Sequence, residues 1–190
     1  MDKNFVLKIF LITVFLIFLI LIFFEFNNKE QSINQETEKI EEKIEHSNLI
    51  KDVSYTSKDR EGNQYNLYSS EGRIDQNNNN YIYLTSVKAD INLINYDLIN
   101  ISSDLGKYNI DNYDTIFSKN VIIRYLYNKI NGEYLDFSII RNSMIITKDV
   151  VYTNKENILK ADVMEMNLIT KDTKIFMHSN NRKVKIKNIN

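Results

Sequence analysis

A strand–turn–strand unit recurs along this chain about every 30 residues, and a chain built that way has few folds open to it. Shifting the sequence by 34 lays Ser70-Glu71-Gly72-Arg73-Ile74 on Asp104-Leu105-Gly106-Lys107-Tyr108, and carries Ile82 to Ile116, Tyr83 to Phe117 and Val87 to Val121. A further shift of 29 carries Asp104 to Glu133, Tyr108 to Phe137, Phe117 to Ile146 and Val121 to Val150. A second shift of 29 lays Glu133-Tyr134-Leu135-Asp136-Phe137 on Asp162-Val163-Met164-Glu165-Met166, and Ile146 on Ile175. After Met177 the last copy loses register. No unit of this size buries its apolar face alone, so the copies must stack and share one interior.

The units read as β-structure. Short runs rich in Ile, Val and Tyr (65–68, 81–93, 121–127, 134–140, 144–152, 159–168 and 174–178) are separated by Asn, Asp, Gly and Ser clusters. Helical periodicity is absent after Val53. Strand alternation then assigns faces. Val87, Ala89, Ile91 and Leu93 oppose Lys88, Asp90 and Asn92; Leu135 and Phe137 oppose Asp136 and Ser138. Met164, Met166 and Leu168 oppose Glu165 and Asn167, and Val121, Ile123 and Tyr125 form a further set. These faces make either a closed core or a core that opens along one side to take a lipid.

Two different segments precede the repeats. Residues 5–24 are apolar except for Lys8 and Thr13, long enough to span about 30 Å of hydrocarbon as a helix. The run is longer than a signal-peptide core and ends in Phe24-Glu25-Phe26-Asn27, with no small-residue cleavage site, so an uncleaved anchor is expected. Lys3 and Lys8 precede or enter it, whereas residues 29–46 carry six Glu against three Lys. The positive-inside rule therefore puts the N-terminus in the cytoplasm and the rest across the membrane. The expected division is an anchor at 1–26, a polar tether at 27–50 and a β domain at 51–190. Within the tether, Ile40 and Ile44 stand at i,i+4 spacing, which fits a short exposed helix or a flexible spacer, since two Ile bury little surface.

Chemistry is hard to find. There is no Cys, which removes disulfides and thiolate metal sites. Two His, His46 and His178, cannot build a His-centred triad or an HExxH zinc site. No phosphate-cradling Gly-rich loop occurs, and a net charge of −1 offers no basic field for nucleic acid. Asp75-x-Asn77-x-Asn79 begins like a calcium loop, but Asn80 stands where Gly is required and Ser86 where Glu closes the site. Asp111 and Asp114 read as turn carboxylates. No catalytic residue, metal or cofactor is expected. The basic tail Arg182-Lys183-x-Lys185-x-Lys187, alternating with Val184 and Ile186, reads either as a charge-guarded edge strand or as an edge that a partner's strand extends.

An N-terminal anchor, a short tether and repeated hairpins with [Ser/Asp/Glu]-x-Gly-[Lys/Arg]-[Ile/Tyr] turns resemble the LptC family of lipopolysaccharide export. The cues are Asp59-Arg60-Glu61-Gly62-Asn63-Gln64-Tyr65, Ser102-Ser103-Asp104-Leu105-Gly106-Lys107-Tyr108 and Leu159-Lys160-Ala161-Asp162. The resemblance runs from the anchor to about Met177. It implies a V-shaped antiparallel β-jellyroll of OstA-like hairpins behind one transmembrane helix. It also implies a groove that takes lipopolysaccharide from an inner-membrane ABC transporter and passes it to a periplasmic bridge protein of the same fold, without enzymatic chemistry.

On that resemblance, the inward-facing Tyr65, Leu67, Ile82, Leu84, Val87, Ile91, Val121, Ile123, Leu135, Phe137, Met164 and Met166 become the lipid-binding groove. Gly62 matches a family position at the end expected to meet the transporter's permease subunits. A second family glycine is not matched; Asn157 lies in that region. Ile175, Met177 and Val184 belong to the C-terminal strands expected to join the next jellyroll. The alternative is a membrane-tethered interaction scaffold with a closed β core and no lipid ligand. A tethered hydrolase is a third, weaker reading.

Overall fold

The computed structural model describes residues 36, 38–40, 49–58, 62–94, 96–179 and 181–189. They fall in two compact units, Met1–Glu38 and Lys39–Asn190. The expected membrane span at 5–24 lies outside the described residues, among which no helix is long and apolar enough to cross a membrane. Glu36 and residues 38–40 are helical, and Ile40 is fully buried. The expectation that the tether's Ile residues stay exposed is therefore corrected at Ile40; Ile44 lies outside the described residues.

The second unit is an up-and-down antiparallel sheet. Its strands are β1 (Ile50–Lys58), β2 (Gln64–Ile74), β3 (Tyr81–Asn92), β4 (Ile99–Asn109), β5 (Thr115–Tyr125), β6 (Asn128–Ser138), β7 (Ser143–Thr153), β8 (Asn157–Asn167), β9 (Thr173–Phe176) and β10 (Lys185–Asn188). Each strand from β1 to β8 pairs with the next, and both β9 and β10 pair with β8. Short Asx-rich turns set this order. Asn109 and Asn167 side chains cap backbone amides of their own turns, as Asp75 does for Asn77. Asp75 is buried and also accepts from the Tyr83 hydroxyl at 3.1 Å, which accounts for the residue that opened the calcium-like motif.

A crease crosses the strands at mid-length, and the 34- and 29-residue shifts are its signature. Asp52, Ser86, Lys119–Asn120 and Lys148–Asp149 all have positive φ, and 52, 86, 120 and 149 are related by those same shifts. Ladder pairing skips Asp52, Ser70, Ser86 and Asp104, then is displaced by one extra residue at Ser118/Val121 on β5 and Thr147/Val150 on β7. A left-handed or bulged residue bends a strand and sharpens its twist. Repeated in register across the sheet, it folds the sheet over on itself. Side chains replace the lost ladder bonds: Asn120 Nδ2 donates to Asp104 at 2.6 Å, and Ser69 and Ser70 donate to the Thr85 carbonyl at 3.0 and 3.1 Å.

The crease also resets alternation. Leu84 and Val87 are an odd number apart yet both buried, because Ser86 takes up one residue without turning a side chain inward. Ile130 and Leu135 on β6 show the same shift of phase. Gly132 sits at that bend, where an added Cβ would come within 2.7 Å of Ile146 Cγ1. The expected inward sets otherwise hold, with one correction: Ser138, expected outside, is fully buried and accepts from the Arg141 amide at 3.1 Å, closing the β6–β7 turn. Its neighbour Asp136 does face outward, paired with Arg141 at 2.7 Å.

The C-terminal edge is made of two short strands, β9 and β10. β9 pairs with Val163–Met166 of β8 and β10 with Asn157–Lys160, and the chain leaves the sheet in between. The excursion occurs where the other odd-numbered strands are creased. Asp162 pins it, accepting from the His178 amide at 3.0 Å and from the Arg182 guanidinium. Burial pushes the Asp162 carboxyl up, but those two donors outweigh it and hold the pKa below the ordinary carboxylate value. A depressed folded-state pKa contributes stability that is present above the unfolded value, about 3.9, and lost as pH falls through the folded value. The protection factor of the His178 amide is thus expected to fall below about pH 4 in the wild type, and in Asp162→Asn to be low at neutral pH as well.

Candidate functional site

The two arms of the creased sheet face each other, and their shared interior is the place where a ligand would go. One arm holds residues before the crease on odd strands and after it on even strands; the other holds the complement. An apolar cavity of about 30 Å³ lies between them. Tyr55, Tyr65, Leu67, Ala89 and Ile91 line it from one arm, and Tyr108, Thr115, Phe117 and Phe137 from the other. That volume holds about one water and no acyl chain. Side chains fill the space between the arms.

Of the twelve residues expected to line a groove, Leu67, Leu84, Val87, Ile91, Val121, Ile123, Leu135, Phe137 and Met164 are buried, and all nine belong to one packed cluster. Tyr65, Ile82 and Met166 are half-buried and pack against it. The set is therefore brought together as one interior. Only Tyr65, Leu67, Ile91 and Phe137 reach the cavity itself. Sequence reasoning missed Tyr55, Tyr108 and Phe117, although Tyr108 and Phe117 stood in the repeat as partners of Phe137 and Ile146.

Two contacts close the mouth. Tyr55 on β1 lies against Tyr108 and Tyr113 of the opposite arm, with ring centroids 5.1 and 6.1 Å apart. Further along, the Lys171 ammonium on the β8–β9 turn sits 5.1 Å from the ring of Tyr96 on the β3–β4 loop, joining one rim to the other. The Tyr108 hydroxyl is buried without a partner at hydrogen-bond distance. Burial first, with the nearby Tyr55 hydroxyl adding to it, pushes the Tyr108 phenol above its ordinary pKa, so it stays neutral. Ring packing among the three tyrosines holds this closure.

The rims carry many of the exposed apolar side chains. Ile94, Tyr96, Leu98, Leu126 and Tyr127 stand on one, and Ile110, Tyr113, Ile140 and Ile169 on the other. Among the described residues no group of His, Asp and Glu is placed to hold a metal ion. The expected docking residues separate. Gly62 lies in the β1–β2 connection with φ +91° and Ile94 Cδ1 3.1 Å from where its Cβ would be, so the fold itself requires glycine there. Ile175 is on β9 and packs against the core, whereas Met177 and Val184 lie in the excursion outside any strand.

The comparisons with known proteins decide the family. The family model described as "Lipopolysaccharide-assembly, LptC-related" matches residues 14–184. The chain belongs to the LptC family. It is thereby a component of lipopolysaccharide transport, facing the periplasm. No curated protein matches it in sequence. In structure it is similar to LptH, the LptA-homologous periplasmic component of the lipopolysaccharide transport device of Pseudomonas aeruginosa, with a TM-score of 0.50 and 6% identity. That likeness covers 65% of this chain and 93% of LptH, and it gives the same jellyroll-like sheet to both.

Proposed function

We propose that this LptC-family chain accepts lipopolysaccharide between the two arms of its sheet and passes it on to a periplasmic jellyroll bridge protein. In this reading the permease subunits of an inner-membrane ABC transporter deliver the lipid, and residues 5–24 anchor the chain in that membrane with its N-terminus in the cytoplasm. The observation that carries it is the continuous apolar interior reached through a mouth held by the Tyr55–Tyr108–Tyr113 cluster. Acyl chains entering there gain about 0.8 kcal/mol per buried methylene, while sugars and phosphates stay in water at the rims. Opening separates the arms about the crease, and direction comes from the transporter's ATPase, since a passive groove supplies only affinity.

The closed cavity favours one competitor: a tethered scaffold whose interior is simply a core. A photo-crosslinking residue at Phe137, and separately at Asp136, separates the two. Phe137 faces the cavity and Asp136 faces outward against Arg141. In cells making the full-length chain, lipopolysaccharide is expected at Phe137 and not at Asp136. Protein partners captured with no lipid at Phe137 would make the chain a scaffold.

A further inference from the structure

β10 occupies a strand position without contributing to the fold's interior. Its four residues pair with Asn157–Lys160 of β8, and all four are exposed. Ile186 stands directly opposite Leu159, so the two side chains share a face. Leu159 pairs in turn with Tyr152, which packs on the core, yet Ile186 is 69% exposed. β9 differs, because its Ile175 does pack against the core. The match to the family model ends at residue 184, one residue before β10 begins.

The attachment is built to be separable. Asp162 pins His178 and Arg182, so the excursion stays fixed at its base, while β10 beyond it pairs with β8 over a short ladder that Ile189 N extends by donating to Glu156 O at 2.8 Å. An exposed ladder this short belongs to the low-stability end of a fold. Lifting it away bares the β8 edge at residues 157–160, a row of unpaired amides and carbonyls that templates strand addition. β10 also runs in the same sense as β1, since both lie antiparallel to an even-numbered strand. A following jellyroll of this fold, continuing the sheet through its own first strand, would lay that strand along β8 in the direction β10 now takes.

We infer that β10 is a displaceable stand-in, which caps the β8 edge in the free protein and yields it to the edge strand of the periplasmic jellyroll partner. This rests on the transfer role proposed above and adds a barrier to it: docking and release of β10 are one event. The cap keeps an exposed edge from pairing with other copies before the partner arrives.

The test locks β10 in place. The chain contains no Cys, so Leu159→Cys with Ile186→Cys gives a single possible disulfide across a directly opposed antiparallel pair, whose Cα spacing suits the bond. Affinity of the full-length protein for the purified bridge protein is measured oxidised and reduced, beside a chain ending at Val184. Oxidation is expected to weaken binding at least about tenfold, reduction to restore it, and the shortened chain to bind at least as tightly as wild type. Equal binding by oxidised and reduced forms overturns the stand-in and leaves the transfer role intact. Failure of the wild type itself to bind overturns the transfer role, and this inference with it.

Discussion

Phe117→Ala is expected to lower the stability of the β unit by about 3–5 kcal/mol, the largest loss from any single truncation of the cavity wall. Phe117 is 1% exposed, lies on β5 in the middle of the sheet order, and lines the small cavity between the arms. Removing its ring takes away the transfer free energy of a buried aromatic and joins the vacated space to the cavity already there, and residual cavity volume is what makes such truncations expensive. Urea unfolding of the Lys39–Asn190 unit should show a lower midpoint with an unchanged slope, because the surface exposed on unfolding hardly changes. A loss below about 1 kcal/mol would mean that the arms collapse onto the gap, and that the interior adapts as a groove must. The same variant bears on lipid binding. Enlarging the space beside Phe137 should raise lipopolysaccharide capture there, in the opposite direction to its effect on stability.

The repeat is the part of this fold that sequence makes legible, and it carries more than strand count. The 34- and 29-residue shifts place Ser70, Asp104, Glu133 and Asp162 in one row, and the structure puts that row on the crease. What the shifts do not announce is the bend itself. Asp52, Asn120 and Asp149 are residue types that tolerate positive φ, but Ser86, Lys119 and Lys148 do so less readily, and none of these left-handed positions is a glycine. Tertiary packing imposes the conformation there, so alternation read straight through a strand goes out of phase at its midpoint. The inward sets were right because each lay wholly on one side of the crease.

The site is legible to a lesser degree. Period-2 patterning identifies which side chains point inward, and nine of twelve candidates are indeed buried. It says nothing of how close the two arms come, and the same Leu, Ile and Phe line a filled core or an open groove. The mouth was missed for a related reason. Tyr55 meets Tyr108 and Tyr113 only because β1 folds back over β4, a contact between strands that are not neighbours in the sheet. The basic tail from Arg182 to Lys187 alternates throughout, yet only Lys185–Asn188 forms a strand, because Arg182 is drawn off to Asp162.

Gly132→Val is expected to cost about 1–3 kcal/mol through overpacking, and the location of the damage is more telling than its size. The substituted Cβ would meet Ile146 Cγ1 at 2.7 Å, Ile146 Cδ1 at 2.9 Å and the Thr147 carbonyl at 3.2 Å. Ile146 is fully buried and the carbonyl belongs to the residue preceding the Lys148–Asp149 bulge, so neither neighbour is a flexible surface group. Relief requires β6 and β7 to move apart at the crease, where pairing is already displaced between Asn131 and Tyr134. In a domain of this size each kcal/mol is worth roughly 2–4 °C in Tm, so a shift of several degrees is expected by thermal unfolding. Amide exchange should rise first at Val150 and Val151, beside the bulge, while β2 and β3 stay protected. If the loss of protection were uniform, the crease would be rigid with the rest of the sheet and the arms would have no line to open along. Confined to β6 and β7, it marks the crease as the compliant part of the jellyroll, the mechanical property that lipid entry between closed arms demands.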